Sequence, residues 1–290
     1  MASGPPLVLD GAMGTELLRR GVDVALPLWS AKALNEAPDV VLAIHRDYAG
    51  AGAEIITTNT FRTTVRTYLK IEKNRQEAVI RARDATFTAV RLARQAAGDE
   101  TFVAGSMAPL EDCYSPELFP GMTVAREEFG QQARWLEEAG VDILLLETMI
   151  RTDEMRAALE ATRDSLPLRW VSYVVTDDRH LLGGDDLAGA VRMAEDLGAG
   201  ALLLNCATLP VTLKALETVL STTDLPAGIY PNLGKSMPSA QGEIDTVYPP
   251  EEFISAVTTA LTAGARIVGS CCGSGPEHIR AVRRAVDGLK

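Results

Sequence analysis

Eight short apolar runs punctuate the chain, at residues 7–10, 54–59, 102–106, 142–147, 169–175, 201–206, 227–232 and 266–271. Most are continuous rather than alternating, which is how parallel strands covered on both faces read. Between and after them lie segments with apolar residues at helical spacing, at 39–51, 74–97, 125–139, 153–164, 187–197, 212–220, 250–263 and 276–288. Gly52, Gly98, Gly140, Gly198 and Gly264 stand just past five of these segments, where glycine most readily ends a helix. Four helix-to-strand joints share one design, AGAGAEII, EEAGVDILLL, EDLGAGALLL and LTAGARIVG. Strict alternation of strand and helix predicts an α/β fold, a single (β/α)8 TIM barrel with residues 1–290 as one domain. The competing arrangement is an open doubly wound sheet, but no dinucleotide fingerprint falls in a strand–helix context. The longer connections follow the first three runs and the seventh, and are expected to form the substrate-side loops.

Composition narrows the partners. Apolar residues make up 47% of the chain, enough for a large core, and the net charge is −11 from 39 acidic and 28 basic residues. No basic run interrupts that balance, so a nucleic-acid or anionic-membrane surface is not expected. The first residues lack the basic start and long apolar stretch of a signal peptide. No apolar run is long enough to span a bilayer. A soluble, cytoplasmic protein is expected, and an oligomer is compatible with everything read so far.

The cysteines bring in chemistry. There are four, Cys113, Cys206, Cys271 and Cys272, and the adjacent pair makes a disulfide framework a poor reading. Cys206 ends the sixth predicted strand and Cys271-Cys272 end the eighth, so the barrel topology brings three thiols to one face. Three thiolates with one position left open suit a catalytic Zn2+ whose fourth ligand is a substrate thiol. The metal would lower the pKa of that thiol and hold it as a nucleophile near neutral pH. The alternative is that these are small core residues, the common fate of a free cysteine. Cys113 lies in the loop after the third strand and is read as non-catalytic.

Seven stretches together resemble the homocysteine S-methyltransferase family over nearly the whole length. They are Asp10-Gly11-Ala12-Met13-Gly14-Thr15, Thr58-Asn59-Thr60-Phe61, Ala104-Gly105-Ser106 to Pro109, the LLLET at 144–148, Asn205-Cys206, Tyr230-Pro231-Asn232, and 269–273 followed by the PEHI at 276–279. The resemblance implies that Cys206, Cys271 and Cys272 are zinc ligands. It implies that Asp10 and Glu147 hold the amino-acid end of homocysteine, with Asn59 and Asn205 in the same substrate-binding set. Two carboxylates at strand ends can bind an ammonium group, and backbone amides around Gly11 and Ala12 can take the carboxylate. Without the resemblance, Asp10 reads equally well as a helix N-cap and Glu147 as a buried ion-pair partner. Two departures stand out: Ser270 replaces the second glycine of the last motif, and Ser274-Gly275 replaces bulkier residues.

The methyl donor must present an electrophilic methyl group. With 18 residues after Cys272, the folate and cobalamin domains of methionine synthases are not expected. The resemblance therefore implies a freestanding enzyme using S-methylmethionine or S-adenosylmethionine, with betaine next. Aromatic faces bind such cations, and Trp29, Phe61, Tyr114 and Tyr230 are the candidates, although each alone reads as ordinary loop packing. Pro27-Leu28-Trp29-Ser30 is similar to a segment of the S-methylmethionine-type relatives. The alternatives are the thiol-activating subunit of a corrinoid-dependent complex and a non-enzymatic zinc- or thiol-binding protein. His45, His180 and His278 are read as packing, surface or capping residues, and Gly183-Gly184 as a turn.

Overall fold

The computed structural model describes residues 4–98, 100–235, 244 and 246–288. The strands are β1 (Leu7–Val8), β2 (Ile55–Thr57), β3 (Phe102–Met107), β4 (Ile143–Met149), β5 (Leu168–Tyr173), β6 (Ala201–Thr208), β7 (Ala227–Asn232) and β8 (Ile267–Val268). They form one parallel sheet in the order β1-β8-β7-β6-β5-β4-β3-β2. A parallel bridge between Leu9 and Ile55 joins the two ends, with Glu54 N donating to Val8 O and Asp10 N to Ile55 O. The predicted (β/α)8 barrel is therefore the observed fold. No helix among the described residues is long and apolar enough to cross a membrane.

The continuous apolar runs divide by parity. Leu9, Ile55, Ala104, Ile143, Leu145, Trp170, Ala201, Leu203, Tyr230 and Ile267 form one buried cluster that draws on β2 to β8 and on the residue just past β1, the barrel interior. Their neighbours Val8, Ile56, Val103, Leu144, Leu146, Val171, Leu202, Leu204, Ile229 and Val268 belong to a larger cluster shared with the helices. This two-sided burial is what the absence of alternation predicts. Close strand approach explains Gly228, where a Cβ would lie 2.3 Å from the Ile267 carbonyl oxygen.

All eight anticipated helices are present, at Pro38–Gly50, Arg75–Ala97, Met122–Ala139, Thr152–Ala161, Leu187–Asp196, Leu209–Thr222, Pro250–Ala263 and Pro276–Asp287. Asn74 caps the second of these by accepting from Glu77 N at 2.9 Å, and Asp186 caps the fifth by accepting from Gly189 N at 2.6 Å. Three further short helices, Met13–Arg19, Ala33–Glu36 and Val65–Tyr68, lie in the connections after β1 and β2. They are too short to show a helical period. β1 and β8 are each two residues long, shorter than their apolar runs, so Asp10 and Cys271 stand on irregular backbone beyond the sheet.

Candidate active site

Inward parity on the strands brings polar residues to one end of the barrel. Thr57, Ser106, Glu147, Ser172 and Asn205 each follow an interior apolar residue by two positions. Asp10 is buried against β2: Thr57 N donates to Asp10 Oδ2 and Thr57 Oγ1 to Oδ1, both at 2.8 Å. Glu147 accepts from Ser106 Oγ at Oε1 and from Tyr230 OH at Oε2, the latter at 3.4 Å. Neither carboxyl group meets a Lys, Arg or His among the described residues, and Ala12, not Asp10, is the N-cap of Met13–Arg19. The ion-pair and capping readings therefore do not describe them. Burial pushes the Asp10 carboxyl up to about 8, against the Thr57 hydrogen bonds and with a push from Glu147. Burial likewise pushes Glu147 up to about 7, against the bonds from Ser106 and Tyr230. Two buried acids without a cation stabilise a ligand that brings one.

The thiol wall is built differently. β4 shifts register between Leu146 and Met149, and β6 between Asn205 and Thr208. Each bulge holds a non-glycine residue in the left-handed region, Thr148 at φ 62° and Cys206 at φ 51°. Such backbone costs on the order of 1–3 kcal/mol and persists only where its surroundings enforce it. Asn205 is the enforcing group. Its Oδ1 accepts from Thr148 N at 3.2 Å and Ser172 Oγ at 2.7 Å, while Nδ2 donates to Thr148 Oγ1 at 2.9 Å and reaches Cys206 Sγ at 3.2 Å. Asn205, expected among the substrate-binding residues, is thus fully buried and engaged as a brace between the two bulges.

Cys271 and Cys272 sit on the turn after β8. Cys271 N donates to Pro231 O, Leu233 N to Cys272 O, and Arg19 to the carbonyl oxygens of Gly273 and Ser274, all between 2.8 and 3.0 Å. The three sulfur atoms lie within 4.8 Å of one another, with Cys271 Sγ 2.6 Å from Cys206 Sγ and 3.8 Å from Cys272 Sγ. About 3.8 Å is the sulfur–sulfur edge of a tetrahedron with Zn–S bonds near 2.3 Å. The donor set fits zinc, with the Cys206–Cys271 edge needing to widen around the ion. Hydrogen bonds from Cys206 and Cys271 hold Cys272 well below the usual thiol range, while thiol neighbours and burial push Cys206 up. Of the two departures, Ser274 makes a contact of its own, with its Oγ accepting from Ala12 N at 3.0 Å. Ser270 Oγ is buried without a hydrogen-bond partner among the described residues.

One cavity touches both walls. It is lined by Asp10, Glu147, Cys206, Cys271 and Cys272, and by all four candidate aromatics, Trp29, Phe61, Tyr114 and Tyr230. Tyr230 belongs to the carboxyl side through its bond to Glu147. Gly11 and Ala12 line the cavity as well. A Cβ on Gly11 would stand 2.7 Å from the Tyr48 ring and 2.8 Å from Ser274 Oγ, so no side chain fits there. Asn59 is buried and lines the cavity, its Nδ2 donating to Ser30 O at 2.8 Å. Cys113 also lines the cavity, outside the group of three, with its thiol pushed up to about 12 by burial. His278 caps the last helix by accepting from Gly275 N at 3.2 Å, His180 pairs with Asp177 on the surface, and His45 is buried on its helix. Thr57, Ser106, Ser274 and Arg62 belong to the site without being marked by the sequence motifs as functional. The first two carry a usable signal, inward parity one step beyond the apolar run.

The family model for homocysteine S-methyltransferases matches residues 7–286. The chain belongs to the homocysteine S-methyltransferase family. It is 30% identical to the homocysteine S-methyltransferase of Escherichia coli strain K12, over 96% of this chain and 94% of that protein. The crystal structure of the E. coli homocysteine methyltransferase MmuM in its metallated form superposes with a TM-score of 0.84 at 29% identity, covering 97% of this chain and 96% of that one. The methionine synthase of Mycobacterium tuberculosis is 29% identical over 98% of this chain, which corresponds to 25% of that larger protein. As an enzyme of this family, the chain carries its distinctive residues on the two walls of one cavity.

Proposed function

We propose that this homocysteine S-methyltransferase moves a methyl group from a small onium donor to the thiolate of homocysteine, giving methionine. The observation that carries the reading is the single cavity with three clustered thiols on one wall and two buried, uncompensated carboxyl groups on the other. Homocysteine presents a thiol and an ammonium group at the two ends of a short chain, and so spans the two walls. Asp10 and Glu147 ionise as they receive the ammonium group, with Thr57, Ser106 and Tyr230 holding their oxygens in place. Because the Ala12 amide is bonded to Ser274, the Gly11 end of that turn is the part left to meet the substrate carboxylate.

Cys206, Cys271 and Cys272 would hold zinc, which when bound supplies the positive charge that keeps a fourth thiol deprotonated near neutral pH. A new sulfur–methyl bond forms on homocysteine, the bond from the donor's sulfur or nitrogen to methyl breaks, and the donor's positive charge is neutralised by the departing electron pair. The thiol proton leaves to solvent. Trp29, Phe61 and Tyr114 line the cavity and offer the onium group aromatic faces, and the barrel aligns the two reactants. S-methylmethionine and S-adenosylmethionine are the favoured donors, with betaine next. The need for reduced thiols suits a cytoplasmic setting.

The test is to load reduced protein with zinc and add homocysteine with each onium donor in turn, measuring methionine by mass spectrometry. Methionine from at least one onium donor and about one zinc per chain are expected, with both lost in Cys206→Ala. Absence of zinc binding under reducing conditions, or undiminished activity in Cys206→Ala, would overturn the reading. Activity seen only with a methylated corrinoid protein would replace the onium donor.

A further inference from the structure

The cavity is acidic and thiol-rich, yet one wall carries a cation with no matching charge. Arg62 is 9% exposed and is the one basic side chain among the described residues that line the cavity. No carboxylate among the described residues lies within 4.0 Å of its guanidinium. Among the described residues its one hydrogen bond runs from Nη1 to the backbone carbonyl of Glu111 at 2.7 Å, and its Nε is buried without a partner there. The carboxylate of Glu111, the residue whose carbonyl accepts that bond, is taken by Arg66 at 3.0 Å and Lys70 at 2.7 Å. A buried guanidinium left without an anion is costly, and its geometry matches a carboxylate in two-point contact.

The residue is also held in advance. The backbone before it is fixed by Thr60 Oγ1 donating to Ser106 O at 2.7 Å and by Gln132 Nε2 donating to Thr60 O at 3.1 Å. Thr63 Oγ1 then donates back to Thr60 O at 3.2 Å. The guanidinium carbon stands 5.3 Å from the centre of the Phe61 ring, and the Glu111 carbonyl fixes it beside the loop that carries Tyr114. In the methyl-transfer reading Phe61 and Tyr114 serve the donor, whereas Asp10, Glu147 and Tyr230, joined to each other or to β2 by hydrogen bonds, serve homocysteine. Charge and position together assign the missing anion to the methyl donor.

We propose that Arg62 is the donor-selecting residue of this site, taking a carboxylate carried by the methyl donor, so that zwitterionic onium compounds are chosen over simple onium cations. This rests on the methyl-transfer reading and deepens it. It also places the donor's onium group and its carboxylate on two neighbouring residues, Phe61 and Arg62.

Two sulfonium probes separate the charge from the onium: S-methylmethionine, which has a carboxylate, and trimethylsulfonium, which has none. Binding of each to zinc-loaded protein is followed by calorimetry, for wild type, Arg62→Gln and Arg62→Lys, alongside KM for homocysteine. Wild type is expected to prefer S-methylmethionine. Arg62→Gln should weaken that probe by roughly 10- to 100-fold, the usual loss when one partner of a buried charged contact is removed. Trimethylsulfonium binding and the homocysteine KM should stay within about 2-fold, and Arg62→Lys should recover part of the preference. Equal losses for both probes, a shift in homocysteine KM alone, or no preference in wild type would overturn the assignment. Should wild type make no methionine from any donor, the methyl-transfer reading fails on its own, while the two-probe binding comparison still decides the role of Arg62.

Discussion

The two walls of the cavity are made by opposite means. The carboxyl wall follows strand parity: Thr57, Ser106, Glu147 and Tyr230 each continue the inward series of their strand, Glu147 where β4 enters its bulge, and their side chains bond one another or Asp10. The thiol wall is irregular: Cys206 stands on a bulge at positive φ, and Cys271 and Cys272 follow a strand of two residues. A regular strand places one inward residue in every two and cannot bring three sulfurs within 4.8 Å of one another. Broken backbone can, at the cost of strain that another residue must contain. The carboxyl wall therefore depends on its side chains, and the thiol wall depends on its brace.

The sharpest way to break this contrast is Asn205→Ala. It strips Thr148 N and Ser172 Oγ of their acceptor and Thr148 Oγ1 of its donor in a site closed to water. Leaving buried polar groups unpaired costs about 1–3 kcal/mol each, and relaxation shares the loss, so a destabilisation of about 3–4 kcal/mol is expected. Urea unfolding measures it. Zinc affinity, followed by competition with a chelator, should fall with it, because Cys206 loses its enforced geometry. A variant as stable as wild type, with zinc retained, would show that the bulges hold themselves.

The same contrast explains what could be read in advance. Continuous apolar runs mark all eight strands and helical spacing the eight long helices, five of them with a glycine stop, because burial on two faces leaves a compositional trace. The carboxyl wall inherits that legibility, since Glu147 and Ser106 continue the inward series of β4 and β3. The thiol wall is legible only through residue type, three cysteines at strand ends. Its geometry is not, because threonine and cysteine do not announce positive φ as glycine does. For that reason Asn205 reads as a substrate contact, whereas its amide is spent on the brace. Arg62 leaves no trace at all. Its meaning lies in being buried without an anion, a property of the folded loop and not of the TNTF-like stretch before it.

On the carboxyl wall, Glu147→Gln keeps the shape and removes the charge. If this wall works through its side chains alone, zinc content and unfolding midpoint should stay near wild type. The homocysteine KM should rise about 10- to 50-fold, the loss of one charged contact to an ammonium group. Steady-state kinetics beside metal analysis checks both. A fall in zinc content equal to that of Asn205→Ala would mean the two walls are not separable.

The smallest effect is the most direct reading of the uncompensated acids. Asp10 is raised to about 8 in the folded protein from an ordinary 3.8, chiefly by burial. A raised carboxyl group binds its proton more tightly when folded than when unfolded, so the stability it contributes is complete below about pH 4 and is lost as pH climbs toward 8. Asp10→Asn cannot titrate and should escape that loss. Between pH 5.5 and 7.5, the stability of the substrate-free wild type relative to Asp10→Asn should therefore decline, by at most about 1.4 kcal/mol per pH unit. Homocysteine reverses the sign for wild type, because its ammonium group favours the ionised carboxylates. Its stabilising shift in unfolding temperature should grow over the same interval, and grow less in the variant, where Glu147, raised to about 7, is the carboxyl group of this wall that still titrates. Parallel pH profiles for the two proteins would mean that Asp10 is already ionised, with a cation other than substrate at the carboxyl wall.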